Sequence, residues 1–345
     1  MSDEDTGVKV LQPTERRHPV TIYDIAREAG VSTSTVSRAF SKPERVSVAT
    51  VKRVQDAATA LGYRINPLAS ALPTGRTNTL GLLLSDITNP VYFELVRGAG
   101  RIAAAEGYTL VLAESQAELG LESQATERLL SLVDGLVLVE TRMDDDEILA
   151  VAERKPLLLV NRTVPSLPHV IPDIEPGIKA AIAHLAQYGH HSIAFLSGPA
   201  NSWLSAQRWD TILTEALETR MNVVEIGPTN PTFEGGAESL RRVRASGATA
   251  VLTFNDVMAM GLLTACEEAG MFIPEDLSII GFDNIFATEF TSPSLTTIQP
   301  RLGEAGEQAF RQLVRSLKGT KDDTSSSNLA TDLVIRKSTG RPHGK

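Results

Sequence analysis

Residues 21–40 read TIYDIAREAGVSTSTVSRAF. Thr21 followed three positions later by Asp24 opens a helix, because each side chain can satisfy a backbone N–H that a first turn leaves free. Ile22, Ile25, Ala26 and Ala29 recur at helical spacing and define one apolar face. Gly30 can take the left-handed conformation that ends a helix, and Val31 plugs the turn. Ser32 then caps a second helix over 33–40, with Val36, Ala39 and Phe40 on its apolar side and Thr33, Ser34, Ser37 and Arg38 on the other. Two short helices joined by a Gly-containing turn, the second with a small polar face and one Arg, suit insertion into a major groove.

Outward from this stretch, a third helix is predicted over 47–61, with Val51, Val54, Ala58 and Leu61 inward and Gly62 as its stop. The same spacing would serve a plain three-helix bundle, so charge has to decide. The whole chain of 345 residues carries a formal −9. Between Arg16 and Arg76, however, ten Lys/Arg face four Asp/Glu, a net of +6, which leaves −15 for the rest. A basic segment on an acidic body points to a polyanionic partner for the segment alone. Beyond the third helix, Asn66 and Pro67 can start one or two turns that Pro73 and Gly75 stop. Isolated helices below ~12 residues are marginal in water. Such a turn would form on docking and could drive Leu72 between base steps in the minor groove; the alternative is a proline-punctuated linker.

From Asn78 onward, apolar runs alternate with amphipathic ones. Strands are predicted at Leu80–Leu84, Thr109–Ala113, Gly135–Val139 and Leu157–Val160, and again at Ser192–Leu196, Ala248–Phe254 and Leu277–Ile280, with helices between them. Continuous apolar strands in βα succession imply parallel sheets covered on both faces. Two successions separated near Pro172–Pro176 imply two α/β lobes with a cleft. Open α/β sheets bind ligands at the carboxyl ends of their strands, which makes Ser85, Asp86, Tyr92, Phe93, Arg162, Trp203, Arg208, Asn255, Asp256, Asp283 and Asn284 candidates. Aromatic surface with convergent Asp, Asn and Arg serves a sugar or a nucleobase. Asp256 could instead cap the helix it opens, Arg208 could form a surface ion pair, and Trp203 could be ordinary packing.

Other chemistry is disfavoured. No run approaches the ~18 apolar residues of a membrane span, and the polar, acidic start lacks a signal-peptide pattern, so a cytoplasmic protein is expected. The single Cys266 forms no disulfide framework and reads as helix packing. Adjacent His190 and His191 at a strand entrance point apart and cannot clamp one metal. The run Asp144–Glu147 reads as a solvated helix N-terminus. No phosphate loop is present. Neither an enzyme nor a bound metal or cofactor is expected.

The run from Val20 to Arg76, VTIYDIAREAGVSTSTVSRAFSKPERVSVATVKRVQDAATALGYRINPLASALPTGR, resembles the DNA-binding and hinge segment of the LacI/GalR family of bacterial transcription regulators. The resemblance places base contacts on Thr33, Ser34 and Arg38, phosphate contacts on Thr21, Tyr23, Ser32, Thr35, Ser37, Tyr63 and Asn66, and the minor-groove lever on Leu72. Many relatives carry Arg or Lys beside that lever, where this chain has Ala71 and Pro73. The segments DITNPVYFELVRG, FNDVMAMGLL, GMFIPEDLSIIGFDN and SPSLTTIQP are similar to the family's effector domain, itself like periplasmic sugar-binding proteins. They place the effector on Ser85, Tyr92, Phe93, Arg162, Arg208, Asn255 and Asp283, with Phe233 as a stacking aromatic at a shortened spacing from Gly236. Ile174 stands where many relatives have Asn. The resemblance implies a disordered tail over 1–19, a helix-turn-helix domain over 20–65, a hinge helix and linker over 66–77, and a two-lobed effector-binding and dimerisation domain over 78–340. It further implies a homodimer on a near-palindromic double-stranded DNA operator, acting as a repressor under a small-molecule effector. That effector is expected to be a sugar, with a nucleobase or a protein co-effector as alternatives.

Overall fold

The computed structural model describes residues 20–63, 76–116, 119–320 and 329–343. The chain divides into two compact units between Arg76 and Thr77. The first contains α1 (Ile22–Ala29), α2 (Thr33–Ser41) and α3 (Val48–Ala60). Its boundaries follow from side-chain chemistry. The Asp24 carboxylate accepts the Thr21 N–H at 2.9 Å and the Thr21 hydroxyl at 2.7 Å. Gly30 sits at φ 62°, which brings the Val31 N–H to the Ala26 carbonyl at 3.0 Å. Ser32 and Ser47 cap α2 and α3 by accepting the N–H of Thr35 and Thr50. Ile25, Val36 and Val54, one from each helix, meet with no exposed surface, surrounded by alanines small enough to let the helices approach. The expectations for 1–19 and for the hinge helix fall outside the described residues.

The second unit consists of two lobes. In lobe one, β1 (Thr79–Leu84), β2 (Thr109–Glu114), β3 (Gly135–Val139), β4 (Leu157–Val160) and β5 (His169–Val170) form a parallel sheet in the order β2-β1-β3-β4-β5. Strand alternation assigns its apolar residues to two faces. Leu80, Leu82, Val137, Val139, Leu158 and Val160 pack beneath α4 (Tyr92–Ala105). Leu83, Leu136, Leu138, Leu157 and Leu159 pack beneath α5 (Leu119–Leu130) and α6 (Asp145–Arg154). This is why the strands read as unbroken apolar runs. Asp144 caps α6, exchanging hydrogen bonds with Glu147 at 2.8 and 3.1 Å.

Lobe two begins with α7 (Glu175–Gln187). It continues through β6 (Ser192–Leu196), α8 (Trp203–Glu218), β7 (Asn222–Ile226), α9 (Phe233–Glu238), α10 (Leu240–Ser246), β8 (Ala250–Thr253), α11 (Asp256–Glu268), β9 (Ser278–Phe282) and β10 (Thr296–Gln299). After α12 (Leu302–Leu317) comes β11 (Asp332–Val334), the one antiparallel strand of a sheet ordered β11-β10-β9-β8-β6-β7. The lobes are not two sequential halves. α12 returns to lobe one, burying Ala305, Ala309, Phe310 and Leu313 against the sheet beside α4. A Cβ on Gly98 would run into the Gly303 carbonyl, and one on Gly306 into that of Leu95, so α4 and α12 cross almost backbone to backbone. Gly98→Ala is expected to cost about 1–3 kcal/mol of overpacking, partly offset by about 1 kcal/mol of helix propensity. A lowered melting temperature checks this, and an unchanged one would show that the helices part freely.

His190 is committed to packing: Nδ1 lies 2.8 Å from the Thr249 hydroxyl and Nε2 3.0 Å from the Gly340 carbonyl. Burial pushes its pKa down, which keeps the ring neutral. Cys266 is fully buried, and burial pushes its thiol up to about 11. Among the described residues no helix is long and apolar enough to cross a membrane.

Candidate functional site

Two surfaces carry recognition chemistry. On the first unit, Ser34 and Arg38 project from α2 into solvent, flanked by half-buried Thr33 and Ser37. At the N-terminus of this helix the Ser32 hydroxyl lies 2.9 Å from those of both Ser34 and Thr35. Hydroxyls at a helix N-terminus, with the positive end of its dipole, favour a phosphate. Thr21 is exposed just ahead of α1, and Tyr23 is 68% exposed. Tyr63 is held more firmly, half-buried with its ring stacked on Phe40 at 6.0 Å between centroids. Asn66 and Leu72 lie outside the described residues.

On the second unit, the carboxyl ends of strands from both sheets border a cavity of about 480 Å³. Lobe one contributes Ser85, Asp86, Asn89, Tyr92, Glu114, Gln116, Glu140 and Arg142; lobe two contributes Pro199, Ser202, Asn230, Pro231, Thr232, Phe254 and Asn255. Backbone strain concentrates here. Gln116, Glu140, Asn161, Asp283 and Asn284 follow β2, β3, β4 and β9 with φ between 50° and 120°, a region that side-chain-bearing residues rarely adopt. The strain turns side chains at the strand ends into hydrogen-bonding positions. Glu140 Oε2 accepts the Tyr92 hydroxyl at 2.9 Å, and Oε1 accepts the Asn161 amide at 2.9 Å. The Ser85 and Tyr92 hydroxyls lie 2.6 Å apart. Burial first, and the Glu140 charge second, push the Tyr92 phenol well above its usual pKa, so it remains a neutral hydrogen-bonding group.

Under Phe254 lies a buried ion pair. Arg208 is 4% exposed and its Nη2 stands 3.5 Å from Asp283 Oδ1. Its guanidinium carbon is 3.6 Å from the Phe282 ring centre and 4.7 Å from that of Phe254, and Nη1 donates to the Phe254 carbonyl. Burial pushes the Asp283 carboxyl up, opposed by the Arg208 charge. Among the described residues Arg208 Nε has no hydrogen-bond partner.

The predicted effector residues therefore divide. Ser85, Tyr92 and Asn255 line the cavity, and Arg208 and Asp283 support it from below. Four others stand elsewhere. Arg162 donates to Asp145 at 2.6 Å and to the Thr163 carbonyl, which draws it to the start of α6. Phe93, one residue beyond Tyr92 on a helix and so turned away, borders a separate cavity with Asp283 and Phe286. Trp203 packs on the lobe-two core, leaving the capping Ser202 to face the cleft. Phe233 begins α9 with its carbonyl pressed against Gly261, while the preceding Asn230–Thr232 supply the lining. Asn255, not Asp256, caps α11, accepting the Met258 N–H at 2.9 Å. Asp256 is fully buried and accepts from the Ile285 N–H at 2.9 Å and the Thr297 hydroxyl at 2.6 Å.

Glu140 and Arg336 were not among the sequence candidates. Glu140 follows a predicted strand, the position that singled out Ser85. Arg336 sits near the end of the chain with no local signal, yet binds Asn284, Thr288 and the Leu295 carbonyl at 2.9, 3.1 and 2.8 Å, clamping the loop that begins at Asp283.

Comparison with known proteins finds relatives of both units. Residues 21–66 match the family described as bacterial regulatory proteins, lacI family, and residues 182–339 match the periplasmic binding protein-like domain. The HTH-type transcriptional repressor CytR of Escherichia coli K12 is 33% identical over 95% of this chain and 99% of its own. The crystal structure of the lac repressor dimer bound to operator and the anti-inducer ONPF superposes with a TM-score of 0.82 at 26% identity, over 94% of this chain and all of that one. A lacI-family regulator from Enterococcus faecium with bound ribose superposes with a TM-score of 0.68 at 28% identity, over 76% of this chain and 99% of that one. A helix-turn-helix unit followed by a two-lobed α/β body, matched along nearly its full length by such relatives, places this chain in the lacI family of bacterial regulatory proteins.

Proposed function

We propose that this DNA-binding regulator is a cytoplasmic repressor that binds a near-palindromic operator as a homodimer and releases or grips it in response to a sugar held between its lobes, without catalytic turnover. The observation that carries the DNA reading is the outer face of α2, where small hydroxyl residues surround a projecting Arg38 in a segment of net +6. Hydroxyls position a helix on phosphates without encoding sequence. The planar fork of Arg38 can bond O6 and N7 of one guanine together. In this reading Thr33, Ser34 and Arg38 face the bases, Thr21, Tyr23, Ser32, Thr35, Ser37, Tyr63 and Asn66 hold the backbone, and Leu72 is the minor-groove wedge. One chain offers one recognition helix, so a palindromic site calls for two-fold pairing; the likeness to the lac repressor dimer supports this.

The effector reading rests on the cleft. Its hydroxyl, amide and carboxylate lining matches a hydroxylated ligand, and the ribose-bound relative favours a sugar over a nucleobase or a protein co-effector. Closing the lobes on a ligand would change operator affinity by a coupling of about 1–3 kcal/mol. Arg38→Ala is expected to relax discrimination at one base pair per half-site by about 1–3 kcal/mol. Binding titrations against an operator series varied one position at a time check this. An equal loss on every sequence would mean that Arg38 holds only phosphate.

A further inference from the structure

The cleft also carries information on the charge of what enters it. Among the described residues its lobe-one wall presents three carboxylates, Asp86, Glu114 and Glu140, against one cation, Arg142. Its lobe-two wall has no charged side chain among the described lining residues. The cation beneath that wall, Arg208, is already matched by Asp283 at 3.5 Å.

A helix N-terminus is the other place where a protein receives an anion. Each helix that begins at this cavity has that position filled by one of its own lining residues. Ser202 accepts the Ser205 N–H at 3.2 Å, Thr232 that of Gly235 at 3.1 Å, and Asn255 that of Met258 at 2.9 Å. Asn89 likewise accepts the Val91 N–H at 3.1 Å ahead of α4. A phosphate would meet carboxylates on one side and helix N-termini already capped by side chains on the other.

A neutral polyol would meet the reverse. The carboxylates are held in place by protein donors: Asp86 by the Thr88 N–H at 2.8 Å, Glu114 by the Ile87 N–H at 3.0 Å, and Glu140 by Tyr92 and Asn161. A carboxylate offers about four acceptor positions, so each keeps capacity for a ligand hydroxyl, and charge-assisted bonds of this kind are the stronger ones.

We propose that the cleft selects uncharged, hydroxyl-rich effectors and rejects their phosphate esters, with Asp86, Glu114 and Glu140 as the residues that set this selectivity. The inference rests on the cleft being the effector site.

The test is calorimetric titration of the full chain with matched pairs: D-ribose and ribose 5-phosphate, D-glucose and glucose 6-phosphate, adenosine and adenosine 5′-monophosphate. The expected result is that any pair that binds does so through its uncharged member, with the ester at least 100-fold weaker. The double variant Asp86→Asn, Glu114→Gln should narrow that gap at least tenfold. An ester binding as tightly as its parent, or a gap unmoved by the double variant, overturns the proposal. The cleft reading has its own control in Thr232→Trp, which fills the cavity. Binding retained in that variant, or no binding by any of the six compounds, overturns the cleft as a sugar or nucleoside site and the selectivity with it.

Discussion

Replacing Arg208 with methionine is expected to remove about 3–5 kcal/mol of stability and to abolish the effector response while leaving effector-free operator binding in place. The side chain is 4% exposed and lies against Asp283, the Phe254 carbonyl, and the rings of Phe254 and Phe282. Methionine refills much of the volume but leaves a buried carboxyl without its cation and a buried carbonyl without its donor. Asp283 can escape by taking up a proton, which burial already favours. The loss should therefore be larger at pH 8 than at pH 5. Arg208→Lys restores a charge but not the plane that lies between two rings, so it should recover only a small part. Urea unfolding of the three proteins at both pH values is the measurement. A lysine variant as stable as the parent would show that the stacked plane contributes nothing.

The second large effect concerns Asp256. This carboxyl is fully buried on the first turn of α11, and burial pushes its pKa up to about 6, against the hydrogen bonds from Thr297 and Ile285 that pull it down. The folded chain thus keeps this proton to about pH 6, whereas an unfolded chain releases it near its ordinary value of 3.8. The sign follows: the contribution is fully present below pH 3.8 and is lost as pH rises through about 6. At about 1.4 kcal/mol per pH unit the loss amounts to about 3 kcal/mol. The Asp256 charge in turn helps burial to push the Asp283 carboxyl up. In Asp256→Asn the amide can accept from Ile285 and donate to the Thr297 hydroxyl, which keeps both contacts and removes the titrating group. Between pH 4.5 and 7.5 the parent should lose stability relative to the variant; parallel pH profiles would show that Asp256 carries no such burden.

These predictions centre on residues whose roles local sequence cannot display. Arg208 at a helix start could be read as a surface ion pair, because the residue that pairs with it is seventy-five positions away. Asp256 reads as a cap for the same reason: its true donors, Ile285 and Thr297, reach it only once β9 and β10 lie beside β8 and α11. Phe93 and Trp203 lie outside the cavity lining for a simpler reason. A helix turns by about 100° per residue, so a neighbour of a lining residue need not line anything. Arg162 is drawn off by Asp145, the first residue of α6, in an acidic run that reads from the sequence as solvated.

What the chain announces without folding is local and periodic. The capping box at Thr21, the left-handed turn at Gly30, the cap at Ser32 and the apolar spacing through Ala39 specify α1 and α2, because every partner lies within five residues. The unbroken apolar strands specify parallel sheets covered on both faces by the same logic. The return of α12 to lobe one, the strained strand ends at Glu140 and Asp283, and the Arg336 clamp on the loop after Asp283 were decided only in three dimensions. Each depends on which distant segments share a low-dielectric interior, and there a charge or a hydrogen bond acts through space, whatever its separation along the chain.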